Sequence, residues 1–157
     1  MEGLQNHIGG IVLSIDPGTK AIGWAYWVNG KLSDCGIARG KNWIESVEDL
    51  PRIEVSRLVV EDQQIYKSSP VDAHDLLAVA RVVGAVVVLY DAASVKLVRP
   101  SEWKGQVPKV VCNRRTIERL SEAERDILTR KPYGKTLLHN LLDAVGIGLW
   151  ELKRRRK

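Results

Sequence analysis

Phenylalanine is absent from the chain, and cysteine is nearly so, with only Cys35 and Cys112. Two thiols cannot build the disulfide framework of a small secreted domain, so reduced thiols in a cytoplasmic setting are expected. Long hydrophobic runs are missing too. The longest, residues 76–90, is broken by Arg81 and falls short of the ~20 apolar residues a bilayer-spanning helix needs. A buried helix and no membrane contact are the expectation. The opening MEGLQNHIGG lacks the basic start and apolar centre of a secretory signal. Repeats and low-complexity stretches are also lacking, which excludes solenoids and fibrous arrays.

What is present is ordinary in bulk. With 45% hydrophobic and 27% charged residues in 157, the composition is that of a globular protein able to bury a core of its own. One domain is expected over residues 11–152, with a flexible N-terminus at 1–10 and a basic tail, KRRRK, at 153–157. Charge is distributed unevenly. Residues 1–93 carry 8 Lys/Arg against 12 Asp/Glu, residues 94–135 carry 11 against 5, and residues 136–157 carry 5 against 2. An acidic half joined to a basic half suggests a polyanion met by the second half, although a solvated basic surface has the same composition.

The hydrophobic pattern predicts an α/β chain. Ile11–Asp16 (IVLSID) and Ala21–Val28 (AIGWAYWV) read as strands, and Asn29-Gly30 is the two-residue turn that returns a third strand over residues 31–38. A short helix is expected over 43–50 and a buried strand at Arg57–Glu61 (RLVVE). Ser68-Ser69-Pro70, with Asp72 and Asp75 in the first turn, reads as the start of a long helix running to about residue 92. A short strand at 95–98, a basic helix over 109–130 and a last helix from Gly134 complete the order. Three antiparallel strands continued by parallel ones are expected, five in one mixed sheet flanked by helices.

Two of the strands end on acids, Asp16 and Glu61. If they run side by side in the same direction, both side chains emerge beyond the strand carboxyl ends, where open α/β sheets place ligands. The last helix adds His139 and Asp143, whose four-residue spacing returns to one face. Three carboxylates and an imidazole suit Mg²⁺ or Mn²⁺ better than structural zinc. Two such ions, roughly 3.5–4 Å apart, clamp the attacking and leaving oxygens of a phosphodiester. Each residue also has a plainer reading. Asp16 can cap the Pro17-Gly18 turn, Glu61 can pair with an arginine, Asp62 can be the relevant acid, and His139 can be a satisfied core histidine.

The stretches SIDPGTKAIGWAYW, LVVEDQQIY, LAVARVVGAVVV and HNLLDAVGIGL follow the order found in RuvC-type Holliday junction resolvases. These are nucleases of the RNase H-like superfamily, and the similarity runs from about residue 11 to 150. The small size and divergent spacing resemble a phage version. The resemblance implies an RNase H-like fold, a homodimer, four-way DNA junctions as substrate, and two Mg²⁺ or Mn²⁺ ions per site. It makes Asp16, Glu61 and Asp143 metal ligands and catalytic residues. The family usually carries its other helical acid or histidine three residues before the last Asp. That position is Asn140 here, so by spacing His139, four before, can take the ligand or general-base role, and Asn140 can supply a neutral oxygen.

The same resemblance implies a DNA path along Lys20, Lys67, Arg99, Lys104, Lys109, Arg114, Arg115 and Lys135. Trp103 either stacks on an exposed base or packs behind the strand end. The apolar helix over 76–90 is the candidate dimer contact, though core burial alone would explain it. Two rival readings start from the same stretch: a YqgF-type nuclease acting on RNA, which shares an Asp-x-Gly-Thr-Lys start, and an actin-like or sugar-kinase ATP-binding fold, whose phosphate loop IDPGTKAIG resembles. The latter needs two domains around a cleft, more than this chain holds, so no nucleotide cofactor is expected. A non-catalytic junction-binding protein is a third reading, which the intact acids oppose.

Overall fold

The computed structural model describes residues 10–64 and 72–154. Five strands form one mixed sheet in the order β3-β2-β1-β4-β5: β1 (Ile11–Asp16), β2 (Ala21–Val28), β3 (Lys31–Arg39), β4 (Arg57–Glu61) and β5 (Ser94–Val98). β1 to β3 are antiparallel neighbours, and β1, β4 and β5 run parallel. The hairpin turn is built as the Asn-Gly pair demands, with φ of 50° at Asn29 and 76° at Gly30.

Helices cover both faces, so the inner strands are buried on two sides and read as continuous apolar runs. Leu13, Ile15, Leu58 and Val60 face Val82, Val86 and Tyr90 of α2 (Ala73–Tyr90) and Val47 of α1 (Trp43–Glu48). Val12, Trp27 and Val59 face Leu141, Ala144, Val145 and Ile147 of α6 (Lys135–Glu151). Each fully buried Val, Leu or Ile contributes about 1.5–3 kcal/mol relative to exposure, so these two layers set the sheet between its helices.

α6 lies unusually close to the sheet. A Cβ at Gly23 would stand 2.3 Å from the Asn140 carbonyl oxygen, and one at Gly148 would stand 2.2 Å from Trp27 Nε1. The contact is locked by a buried serine. Ser14 Oγ donates to the Ala144 carbonyl at 2.7 Å and accepts from Trp27 Nε1 at 3.0 Å.

The outer edge of β3 is shielded by side chains that take up its free N–H groups. Leu32 N donates to Glu124 Oε1 at 2.9 Å, Ile37 N to the Tyr133 hydroxyl at 3.1 Å, and Arg39 N to Asp49 Oδ2 at 2.8 Å. This is one way to keep an edge strand from recruiting another chain.

Several boundaries differ from the sequence reading. The single helix expected over 109–130 is two, α4 (Lys109–Arg119) and α5 (Glu122–Thr129). Leu120 is extended, and Ser121 and Glu124 cap one another's backbone N–H, which is the Ser-x-x-Glu box that begins a new helix. Pro100 does not simply close β5 but starts a one-turn helix, α3 (Pro100–Trp103). α2 begins at Ala73 with Asp72 as its cap and ends at Tyr90; Ser68-Ser69-Pro70 lie outside the described residues, as do residues 1–9 and 155–157.

α2 is also less buried than expected. Val82, Val83, Val86 and Tyr90 are covered, but Leu77 is 56% and Val88 80% exposed. Its 18 residues, mean hydropathy 1.7, are long and apolar enough to cross a membrane by length and composition alone, contrary to the estimate from residues 76–90. Here one stripe of it packs on the sheet instead.

Candidate active site

Asp16 and Glu61 lie at the same level of adjacent strands. Ile15 pairs with Val60 in the parallel ladder, so the next residue of each strand emerges together at the sheet's carboxyl edge. Side chains alternate along a strand, and Asp16 falls on the face of Val12 and Ser14, Glu61 on that of Val59. That is the face α6 covers. Asp143 precedes Ala144, the residue whose carbonyl Ser14 holds. A single buried hydrogen bond thus ties the strand residue two before Asp16 to the helix residue one after Asp143. Ser14 carried a signal in the sequence, a hydroxyl inside an otherwise apolar strand, but nothing there named its partner.

Glu61 and Asp143 are buried, at 6% and 7% exposure. Burial pushes the Asp16 carboxyl well above the usual carboxylate range, and the negative charges of Glu61 and Asp143 push it further. Burial likewise raises Glu61; Lys104 and the Trp103 N–H oppose this, and Asp143 adds to it. Asp16 makes no hydrogen bond or salt bridge with the described residues. Carboxylates gathered this closely, with burial and Asp143 disfavouring the charges of Asp16 and Glu61, need positive charge between them.

Two lysines supply part of it. Lys104 Nζ stands 3.6 Å from Glu61 Oε2 and 3.8 Å from Asp143 Oδ2, and Lys109 Nζ stands 3.8 Å from Asp143 Oδ2. Burial alone would lower the Lys104 ammonium pKa, but Glu61, Asp143 and Asp16 together raise it. Among the described residues no three His, Cys, Asp or Glu side chains are drawn tightly enough to hold a metal as they stand. The donor set nonetheless fits a hard divalent cation in kind. It offers carboxylate oxygens only, mutually repelling, with an ammonium ion standing between two of them.

Trp103 packs rather than stacks. It is 9% exposed, its ring edge occupies the space a side chain at Gly146 would take, and its Nε1 donates to Glu61 Oε2 at 2.6 Å. The one-turn α3 delivers it there, with Glu102 Oε2 accepting the Arg99 N–H at 2.7 Å. Of the two readings for Trp103, the geometry agrees with packing behind the strand end, since the ring is already enclosed by the protein.

His139 is brought to a different neighbour. Its Nδ1 lies 2.6 Å from the Asn113 amide nitrogen, and it makes no hydrogen bond or ion pair with the three acids. The contact engages Nδ1, and Asn113 Oδ1 is left buried with no hydrogen bond among the described residues. The expected fourth ligand is therefore not assembled with the other three. Asn113 on α4 is a residue the sequence reading missed.

The expected DNA-path residues are dispersed around this edge. Lys20, Arg99, Lys109, Arg114, Arg115 and Lys135 are exposed, and Arg114 pairs with Glu118 at 3.7 Å. Lys67 lies outside the described residues. Lys104 sits inside the acid cluster instead. A larger cavity of about 590 Å³, lined by residues such as Asn29, Leu32, Ile127 and Leu152, opens at the opposite end of the sheet, far from the acids.

The same arrangement of strands and helices occurs in solved structures. Over 89% of this chain and 90% of the other, it is similar to Thermus thermophilus RuvC in complex with a Holliday junction substrate, with a TM-score of 0.59 and 22% identity. A second Thermus thermophilus RuvC structure gives 0.58 and 19% over 93% of this chain and 98% of that one. The yeast mitochondrial Holliday junction resolvase gives 0.52 and 14% over 90% and 81%. No family model matches the chain, and no curated protein matches it. At these identities the likeness establishes the fold, an RNase H-like mixed sheet flanked by helices.

Proposed function

We propose that the chain is a metal-dependent, structure-selective endodeoxyribonuclease that resolves four-way DNA junctions by paired phosphodiester hydrolysis. The observation that carries this reading is the convergence of Asp16, Glu61 and Asp143 at the carboxyl edge of the sheet, ringed by lysines. Its occurrence in a fold shared with junction resolvases supports the choice of substrate. Asp16, Glu61 and Asp143 would hold Mg²⁺ or Mn²⁺, two ions per site. Bound there, such ions supply an acidified water and stabilise the departing oxygen.

The chain's own residues do the rest. Ser14 and Trp103 orient the acids, Lys104 and Lys109 draw a phosphate toward them, and the exposed basic side chains of α4 hold the flanking backbone. His139, engaged at Nδ1 by Asn113, has Nε2 left for a hydrogen bond toward substrate. Paired cuts call for two sites. α2 supports a homodimer: Leu77, Ala80, Gly84 and Val88 form an exposed apolar stripe at three- and four-residue spacing, crossed by Arg81, on which a second copy can seat. A cytoplasmic site of action, in the host if the chain is phage-encoded, goes with the reduced thiols.

The test is a synthetic mobile four-way junction, end-labelled on each strand and incubated with Mg²⁺ or Mn²⁺ in turn. Symmetric nicks on opposite strands are expected, lost in Asp143→Asn while junction binding persists. Cleavage of a precursor RNA with the junction left intact would replace this reading with the RNA-processing one. Binding without nicks under either metal would make the chain a junction-binding protein.

A further inference from the structure

Beside the acid cluster, on the far side of Trp103, lies a small cavity of about 50 Å³ between α3, α4 and α6. It has room for roughly three to five waters, or one tetrahedral oxyanion of similar size. Three cationic residues line it, Lys104, Arg115 and Arg119, with Thr116 and Gly146. Among the described residues no carboxylate lines it.

The polar groups around the cavity are short of partners. Arg119 Nε is buried and makes no hydrogen bond. Neither Arg115 nor Arg119 forms a salt bridge with the described residues, although other surface cations such as Arg57, Lys96 and Arg154 do. The Thr116 hydroxyl, 4% exposed, also makes no hydrogen bond with them. Buried donors are normally satisfied, and one that is not calls for an explanation. Here two guanidinium groups with no salt bridge to the described residues, a hydroxyl, and Lys104, which is itself paired with Glu61 and Asp143, surround a space of phosphate size.

We infer that this cavity is a phosphate-binding subsite, taking a backbone phosphate of the DNA strand next to the linkage that is cut. Arg119 and Arg115 supply guanidinium donors suited to phosphate oxygens, and Thr116 supplies a hydroxyl. Lys104 is shared: it lines the cavity while its Nζ stands 3.6 Å from Glu61 and 3.8 Å from Asp143. A phosphate in the cavity is therefore one lysine away from the acids, which makes it a neighbour of the reacting one. The subsite fixes where along the strand the cut falls. The identity of the strand as DNA rests on the proposed function; the oxyanion chemistry of the cavity does not.

Two measurements separate these. In the first, inorganic phosphate is titrated against the full chain while backbone amide NMR shifts of residues 103, 116, 119 and 146 are followed. Saturable shifts confined to this region, lost in Arg119→Gln and weakened in Thr116→Val, support the subsite. No shifts, or unchanged shifts in both variants, overturn it. This readout needs no cleavage, so failure to cut junctions would refute the nuclease reading without touching it.

In the second, single uncharged methylphosphonate linkages are placed in turn on either side of the cut in a four-way junction. One flanking position is expected to slow nicking by about tenfold in the native chain and to have no further effect in Arg119→Gln. Equal slowing in both proteins would show that the phosphate is read elsewhere and would overturn the assignment to DNA.

Discussion

Replacing Trp103 by phenylalanine isolates one hydrogen bond of the site. The indole Nε1 donates to Glu61 Oε2 at 2.6 Å, and both side chains are under 10% exposed. Phenylalanine keeps an aromatic ring in the notch left by Gly146 and removes the donor. A hydrogen bond to a charged buried acceptor is worth about 1.5–3 kcal/mol, so Trp103→Phe should destabilise the fold by about 2 kcal/mol. In a chain of this size that is a fall of about 4–8 °C in Tm. Packing loss confuses a single substitution, so the measurement is a double-mutant cycle with Glu61→Met, read by urea denaturation at pH 8. Methionine is neutral and has no oxygen to accept from the indole. The cost of Trp103→Phe should shrink by at least about 1 kcal/mol when Glu61 is already replaced, since the coupled pair is gone. An equal cost in both backgrounds would show that Trp103 acts on the fold through its ring alone, and that it does not hold Glu61. Junction nicking should drop more than stability does, because a loosened Glu61 no longer meets its fellow acids.

Asp16→Asn is expected to abolish nicking and, with chelator present, to raise Tm by at least about 2 °C. Burial, Glu61 and Asp143 all disfavour the Asp16 charge, and an unchanged or lower Tm would mean that the repulsion is already relieved. Glu124 behaves in the opposite way. Burial raises its carboxyl, but hydrogen bonds from Arg154 and from the Ser121 and Leu32 N–H groups outweigh this and bring it from 4.5 to about 2. A depressed acid stabilises above its unfolded pKa and loses that contribution as pH falls. On the order of 3 kcal/mol should disappear between about pH 5 and pH 2, and Glu124→Gln should flatten that slope in acid-denaturation curves. Gly148→Ala should cost about 3 kcal/mol or more by forcing α6 off Trp27 and Ser14; a normal Tm would disprove the close helix–sheet contact.

Strand identity and the acids at strand ends were legible in the sequence because both follow from local pattern. Alternation and β-branching mark Ile11–Asp16 and Arg57–Glu61, and a charge closing an apolar run marks its own anomaly. Asn29-Gly30 needs no context to make its turn. The division of the basic helix at Leu120-Ser121 is also written locally, in the Ser121–Glu124 capping box that interrupts the continuous basic charge. The length of α2 was legible, but its burial was not, because an apolar helix of one chain can face its own sheet or open space.

Proximity across the chain is a different kind of information. That Trp103 would reach Glu61, that Asn113 would engage His139 and turn it from the acids, and that Lys104 would stand among carboxylates all depend on where α3 and α4 are carried. Those positions are set by the packing of α6 on the sheet, through Gly23, Gly148 and the Ser14–Ala144 hydrogen bond. The sequence by itself determined which elements form and which residues end them, since backbone preference and hydrophobic period act over a few residues. Only the tertiary structure decided which charges meet, because side-chain electrostatics acts over a few ångströms between segments that the chain separates by scores of residues.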